Sequence, residues 1–127
     1  MHVITALAAV SLACKDMPTS VRFYKAIGVE VREAKHLGVP SYSCALAGVH
    51  FALRPLEEGK PAGGAQLAFM ISNLDGALAA LASGGVGVIV EKPAPKPWGI
   101  TAVVEDPDGR RIELVSTRVE VTGPMPF

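Results

Sequence analysis

Glu113 is the residue of this sequence that most asks for a chemical explanation. It stands in "RIELV", residues 111 to 115, between Ile112 and Leu114. In an extended chain those two aliphatics turn to one side and Glu113 to the other. A carboxylate held inside a fold is costly without a partner. Joined to Arg111, His50 or Gln66 by a salt bridge or hydrogen bond, it would be structural. Left open, it would recognise a cationic or hydroxyl-bearing molecule, or accept a proton as a general base. Other reactive side chains are sparse. Cys14 and Cys44 fit no metal or redox spacing and are too few for a disulfide framework, so both are expected as reduced thiols that pack as small hydrophobes. His2 and His36 fall in a terminal segment and a loop, where surface histidine is expected.

The bulk of the chain narrows the field. Its 127 residues make one domain, half of them hydrophobic, with twelve basic side chains balancing twelve acidic ones. No basic run and few aromatics leave no electrostatic or stacking reason to expect nucleic acid as partner. No apolar stretch approaches the ~20 residues that cross a bilayer, so no membrane is expected either. The opening "ALAAVSLACKD", residues 6 to 16, has the look of an export leader. It lacks the positive charge that should precede one, and Lys15 follows the apolar run. It is expected as a strand of a cytoplasmic protein.

That expectation rests on a repeat. Residues 9 to 31 laid above residues 66 to 88, a shift of 57, bring Leu12 onto Phe69, Cys14 onto Ile71, Asp16 onto Asn73, Val21 onto Leu78, and Gly28 onto Gly85. One supersecondary unit is used twice. Each half begins with alternation: Val10, Leu12 and Cys14 on one face, and Leu67, Phe69 and Ile71 in the twin. Asp16 and Asn73 stand at helix N-caps. Met17, Val21 and Tyr24, like Leu74, Leu78 and Leu81, mark one buried helical stripe. Short strands are expected at 29–32, 42–47 and 49–54, and again at 86–90, 100–105 and 110–116. "DPDG", residues 106 to 109, turns the last pair. Segments 33–41 and 91–98, the latter with three prolines, are expected as loops. Module 1 spans about 4–55, the linker 56–65, module 2 about 66–117, and an irregular tail 118–127. Each module reads β-α-β-β-β, an α+β plan in which one helix covers one face of a curved mixed sheet and two bare faces bend around a cavity.

With "LACKDMPTSVRFYKAIGVEV", "QLAFMISNLDGALAALASGGVGV" and "WGITAVVEDPDGRRIELV" in this order, the chain resembles the vicinal oxygen chelate superfamily, which holds glyoxalase I, bleomycin-resistance proteins and extradiol dioxygenases. The resemblance runs from about Thr5 to Ser116. It implies a divalent metal in the curved sheet, held from the first and last strands of each module, acting as a Lewis acid on a substrate with two neighbouring oxygens. Carried over residue by residue, the ligand positions are Ala9, Ala52, Gln66 and Glu113. Two are alanines, and a transition metal ordinarily takes three or four protein ligands. His50, two before Ala52 and about 7 Å along the strand, would complete an alternative set with Gln66 and Glu113.

Small residues at 9, 11, 13, 52 and 68 leave volume for a guest. Ser11, Tyr42, His50, Gln66, Ala68, Met70, Trp98, Arg111 and Glu113 are the expected ligand-binding residues, with Met70 and Trp98 suited to an apolar or aromatic molecule. The expected function is sequestration of an apolar or cationic organic ligand, without a cofactor, as in the antibiotic-resistance branch. The alternative is a metal-dependent lyase, isomerase or dioxygenase-like enzyme with Glu113 catalytic and one divalent ion. A homodimer is implied by family habit.

Overall fold

The structure is a computed structural model and describes residues 3–36 and 38–116. His2 and the tail at 118–127 lie outside the described residues. Ten elements follow in the order β1 (Ala9–Cys14), α1 (Met17–Ala26), β2 (Arg32–His36), β3 (Val39–Leu46), β4 (Val49–Pro55), β5 (Leu67–Ile71), α2 (Leu74–Gly84), β6 (Val88–Lys96), β7 (Gly99–Glu105) and β8 (Arg111–Ser116). They form two four-stranded sheets, ordered β1-β4-β3-β2 and β5-β8-β7-β6. In each, the first strand runs parallel to the last strand of its module and the other pairs are antiparallel. This is the expected α+β plan of two β-α-β-β-β modules.

Both helices start where short polar side chains satisfy the free amides of a first turn. Asp16 Oδ1 accepts from the Thr19 amide at 3.2 Å and its Oδ2 from the Thr19 hydroxyl at 2.8 Å. Asn73 Oδ1 accepts from the Gly76 amide at 2.9 Å. α2 stops at Gly85, whose φ of 62° is the left-handed cap glycine adopts without a steric penalty.

The helix-facing sides of both sheets pool into one core. Leu12, Phe51 and Leu53 come from the first sheet, Val104, Ile112 and Leu114 from the second, with Phe23 and Tyr24 of α1 and Leu74 and Leu81 of α2. A run of ring contacts crosses it: Phe23 to Tyr24 at 4.9 Å, Tyr24 to Phe51 at 5.4 Å, Phe51 to Phe69 at 6.1 Å. The last contact spans the modules. Gly87, with φ of 75°, sits against this junction, where a Cβ would stand 2.7 Å from the Phe23 ring. Cys14 is buried and Cys44 half-buried, both as free thiols.

Three local expectations are corrected. Val29 and Val31 are buried, but as the connection that closes the core, and β2 begins only at Arg32. Segment 33–41 is a β2–β3 hairpin apart from its tip, with Arg32 opposite Ser43 and Lys35 opposite Pro40. Residues 91–96 are strand despite Pro93 and Pro95. β6 is the edge of its sheet, where a proline need not donate to a neighbour on its outer side. Its ladder with β7 slips between Ile89 and Glu91 and again between Glu91 and Ala94, which is how the strand absorbs the prolines.

Because the helix sides of both sheets share one core, each sheet turns its other face outward. The expectation that the two bare faces enclose a common cavity is corrected on this point: within one chain they are separate surfaces.

Candidate functional site

The strand ladders place the repeat on a structural footing. In the first sheet Ser11 stands opposite Ala52; in the second, Ala68 stands opposite Glu113. These are equivalent rungs of the two modules, so the counterpart of Glu113 is a methyl group. Gln66, just before β5, has Ala9 as its counterpart. The two bare faces therefore differ in kind. Ala9, Ser11 and His50 are exposed on the first, with His50 between Ala9 and Ala45. On the second face a row runs Glu91, Val103, Glu113, Ala68 across the four strands.

That row crosses a cavity of about 290 Å³, lined only by residues of the second module. Gln66, Arg111 and Glu113 stand on its β5–β8 side, Thr101 and Val103 on β7, and Glu91, Lys96 and Trp98 on the β6 side. Glu113 is 5% exposed. Its Oε1 accepts a hydrogen bond from the indole Nε1–H of Trp98 at 2.9 Å. Trp98 reaches it from the two-residue tip of the β6–β7 hairpin, between the paired Lys96 and Gly99. Arg111 and Lys96 are exposed and, among the described residues, neither forms an ion pair with Glu113. The partner of this carboxylate is thus the neutral indole, and among the described residues none of Arg111, His50 and Gln66, the partners weighed for a structural role, pairs with it.

Of the nine expected ligand-binding residues, Gln66, Trp98, Arg111 and Glu113 come together here, with Ala68 beside Glu113 in the ladder. Met70 lies on the same face, 56% exposed, opposite Val115 and off the cavity wall. Ser11 and His50 lie on the other bare face. Tyr42 is not part of this cavity. It pairs with Leu53 on the side turned toward the helices, packs on the core, and donates its hydroxyl to Glu33 Oε1 at 3.2 Å. Alternation decides this: its neighbour Ser43, opposite Ala52, has the bare face.

Four lining residues were not read from the sequence. Thr101 and Val103 were within reach, since counting back from the "DPDG" turn sets Glu105 opposite Arg111 and Val103 opposite Glu113. Glu91 and Lys96 were hidden by the slips of β6.

Within one chain the described residues do not by themselves gather a divalent-metal site. Of the four positions the family uses, two carry a methyl group. Glu113 has an oxygen engaged by Trp98, and His50 of the alternative set is on the other sheet. Among the described residues no three His, Cys, Asp or Glu side chains gather where they could hold an ion.

The model of the glyoxalase/bleomycin resistance protein/dioxygenase superfamily matches residues 6–114. The chain belongs to that superfamily. Its fold is shared with solved structures of low sequence identity. The fosfomycin resistance protein FosX from Listeria monocytogenes is 20% identical, with a TM-score of 0.69 over 92% of this chain and 97% of its own. TnmS3, an antibiotic-binding protein from Streptomyces sp. CB03234, is 20% identical, with a TM-score of 0.68 over 91% and 98%. The oxidase ChaP-H2 is 19% identical, with a TM-score of 0.70 over 94% and 98%. No curated protein matches the sequence. No helix among the described residues is long and apolar enough to cross a membrane.

Proposed function

We propose that this superfamily member is a small-molecule-binding protein of the cytoplasm that sequesters an apolar or cationic organic ligand and works without a metal ion. One observation carries the reading: on equivalent rungs of the two sheets, Ala52 stands where Glu113 stands. A metal site needs donors from both modules, and the first module supplies none at these positions. What remains is a mixed cavity with one buried carboxylate, the arrangement that orients an organic guest through a few placed polar groups. The antibiotic-binding neighbour is compatible with this reading.

The outward-facing sheets also support a homodimer. A second copy laying its first sheet over this cavity would cover Glu113 with Ala9, Ser11 and Ala52, which are small and leave room for a guest. His50 of that copy would approach the same space. An enzyme using Gln66, Glu113 and His50 on one ion is therefore the outcome to test against.

The experiment is a thermal-shift panel on protein purified without chelator, comparing hydrophobic and cationic organic compounds with divalent ions, in wild type and Glu113→Ala. Saturation at a hundredfold above Kd stabilises by about 2.7 kcal/mol. We expect organic compounds to raise Tm in a Glu113-dependent way. A divalent ion, bound stoichiometrically and lost in Glu113→Ala, would overturn the reading.

A further inference from the structure

The Trp98–Glu113 pair leaves a demand that the protein itself does not meet. An ionised carboxylate has two oxygens and accepts several hydrogen bonds. When it is as buried as Glu113, a neutral N–H on one oxygen is a thin supply. Among the described residues the other oxygen has no partner, yet it is not sealed, since no fully buried side-chain oxygen there lacks one. It is therefore reached from the open side of the cavity. The two cations of the wall, Lys96 and Arg111, are exposed and neither pairs with it among the described residues.

Trp98 itself is held lightly. It is half-exposed, sits at the tip of an edge hairpin, and is followed by Gly99 at φ 139°, a conformation open to glycine. Its side chain has one hydrogen bond, the one to Glu113. An indole that lets go of the carboxylate still offers a flat face with negative charge density to whatever takes its place.

We propose that Trp98 is the specificity-determining residue of the cavity: its indole N–H occupies the place of a ligand donor at Glu113, and a planar cationic compound of the aryl-amidine class displaces it and stacks on the ring. Selection then has two parts. A ligand without an N–H donor must leave Glu113 with less than it had, so it is rejected. A donor without a flat ring gains the carboxylate but not the indole face. This rests on the reading of the cavity as an organic-ligand site, and it adds the chemical class.

Trp98 is the sole tryptophan of the sequence, so its indole gives one N–H resonance in a spectrum of the full-length, ¹⁵N-labelled protein. Benzamidine, the uncharged benzonitrile and the non-aromatic cyclohexanecarboxamidine are titrated in turn. Benzamidine should shift the indole resonance saturably as the bond to Glu113 is exchanged. Benzonitrile and cyclohexanecarboxamidine should bind weaker by about tenfold or more, the worth of a charge-assisted bond or of the stacked ring. In Glu113→Gln, which keeps an acceptor for the indole, the preference for benzamidine should shrink. The wild-type titration stands alone if that variant does not fold. Equal binding of benzamidine and benzonitrile, or an indole resonance that benzamidine leaves in place, overturns the proposal. If benzamidine fails while another organic compound stabilises the protein through Glu113, only the role of Trp98 falls. If Mn²⁺ broadens the indole resonance in wild type and not in Glu113→Ala, the organic-ligand reading falls with it.

Discussion

Two acidic residues of the second module are buried to nearly the same depth and are treated in opposite ways. Asp106 is 4% exposed and Glu113 is 5% exposed. Asp106 is saturated. Its Oδ1 accepts from the amides of Asp108 and Arg110, each at 2.9 Å, and its Oδ2 accepts from the Tyr24 hydroxyl at 2.6 Å and from Arg110 Nη1 at 3.0 Å. Arg110 goes on to donate from Nη2 to the carbonyls of Ala13 and Ala62. Asp108 accepts from the Lys15 amide at 3.1 Å and lies 3.6 Å from Arg110. The "DPDGR" turn of module 2 is thereby fastened to β1 and α1 of module 1. Burial works against the charge on Arg110, yet the hydrogen bond and charge of Asp106 hold its pKa above the ordinary value. Glu113 has one neutral donor. A carboxylate with every lone pair engaged is part of the frame; one with a single replaceable donor is positioned to receive something.

The largest effect should come from the saturated side. Arg110→Ala leaves Asp106 and Asp108 without their buried cation, which costs about 3–5 kcal/mol. That is a large share of the ~5–15 kcal/mol typical of a domain. Urea unfolding followed by circular dichroism should give a midpoint far below wild type. Glu113→Ala under the same conditions should fall by no more than about 1–2 kcal/mol, since it strands only the Trp98 donor. Equal losses would erase the distinction between the two sites.

Tyr24→Phe comes next, at about 1–2 kcal/mol for one donor withdrawn from a buried charge. It also predicts a pH dependence. Burial, then the charge of Asp106, push the Tyr24 phenol well above its usual value. The folded chain therefore holds this proton at a pH where the unfolded chain has lost it. The stabilisation is complete below about pH 10 and declines as pH rises beyond it. Unfolding measured between neutral and strongly alkaline pH should show a shallower alkaline decline in Tyr24→Phe.

The smallest effect is at the start of α1. Hydrogen bonds from the Thr19 hydroxyl and amide lower the pKa of the Asp16 carboxyl, and its partners are exposed. Its contribution is present above about pH 3.9 and fades as pH falls through the lowered value. Asp16→Asn keeps an N-cap acceptor without the charge, so its acid midpoint should lie close to wild type.

How much of this was legible in the sequence follows the same division. The repeat, the two N-caps and the alternation of β1 and β5 were readable because each is a local signal with a fixed period. Alternation along β8 made Arg111 and Glu113 readable as neighbours on one face, and "DPDG" was readable as a turn. Its other meaning, the clamp through Asp106 and Arg110, was not, because it joins residues 24 and 106 and depends on how the modules dock. Tyr42 was misplaced by one step of alternation, which in a strand is the whole distance from one face to the other. Trp98 was recognised as a candidate, but its target was not. The prolines that made 91–98 look like a loop concealed the edge hairpin that carries the indole over the sheet.

The most direct test of the account is a crystal of the protein soaked with Mn²⁺ and, separately, with an organic compound from the stabilising panel. The account predicts no anomalous peak at Glu113 and density for the organic compound against its carboxylate. An anomalous peak within about 2.2 Å of Glu113 and Gln66 oxygens would contradict it.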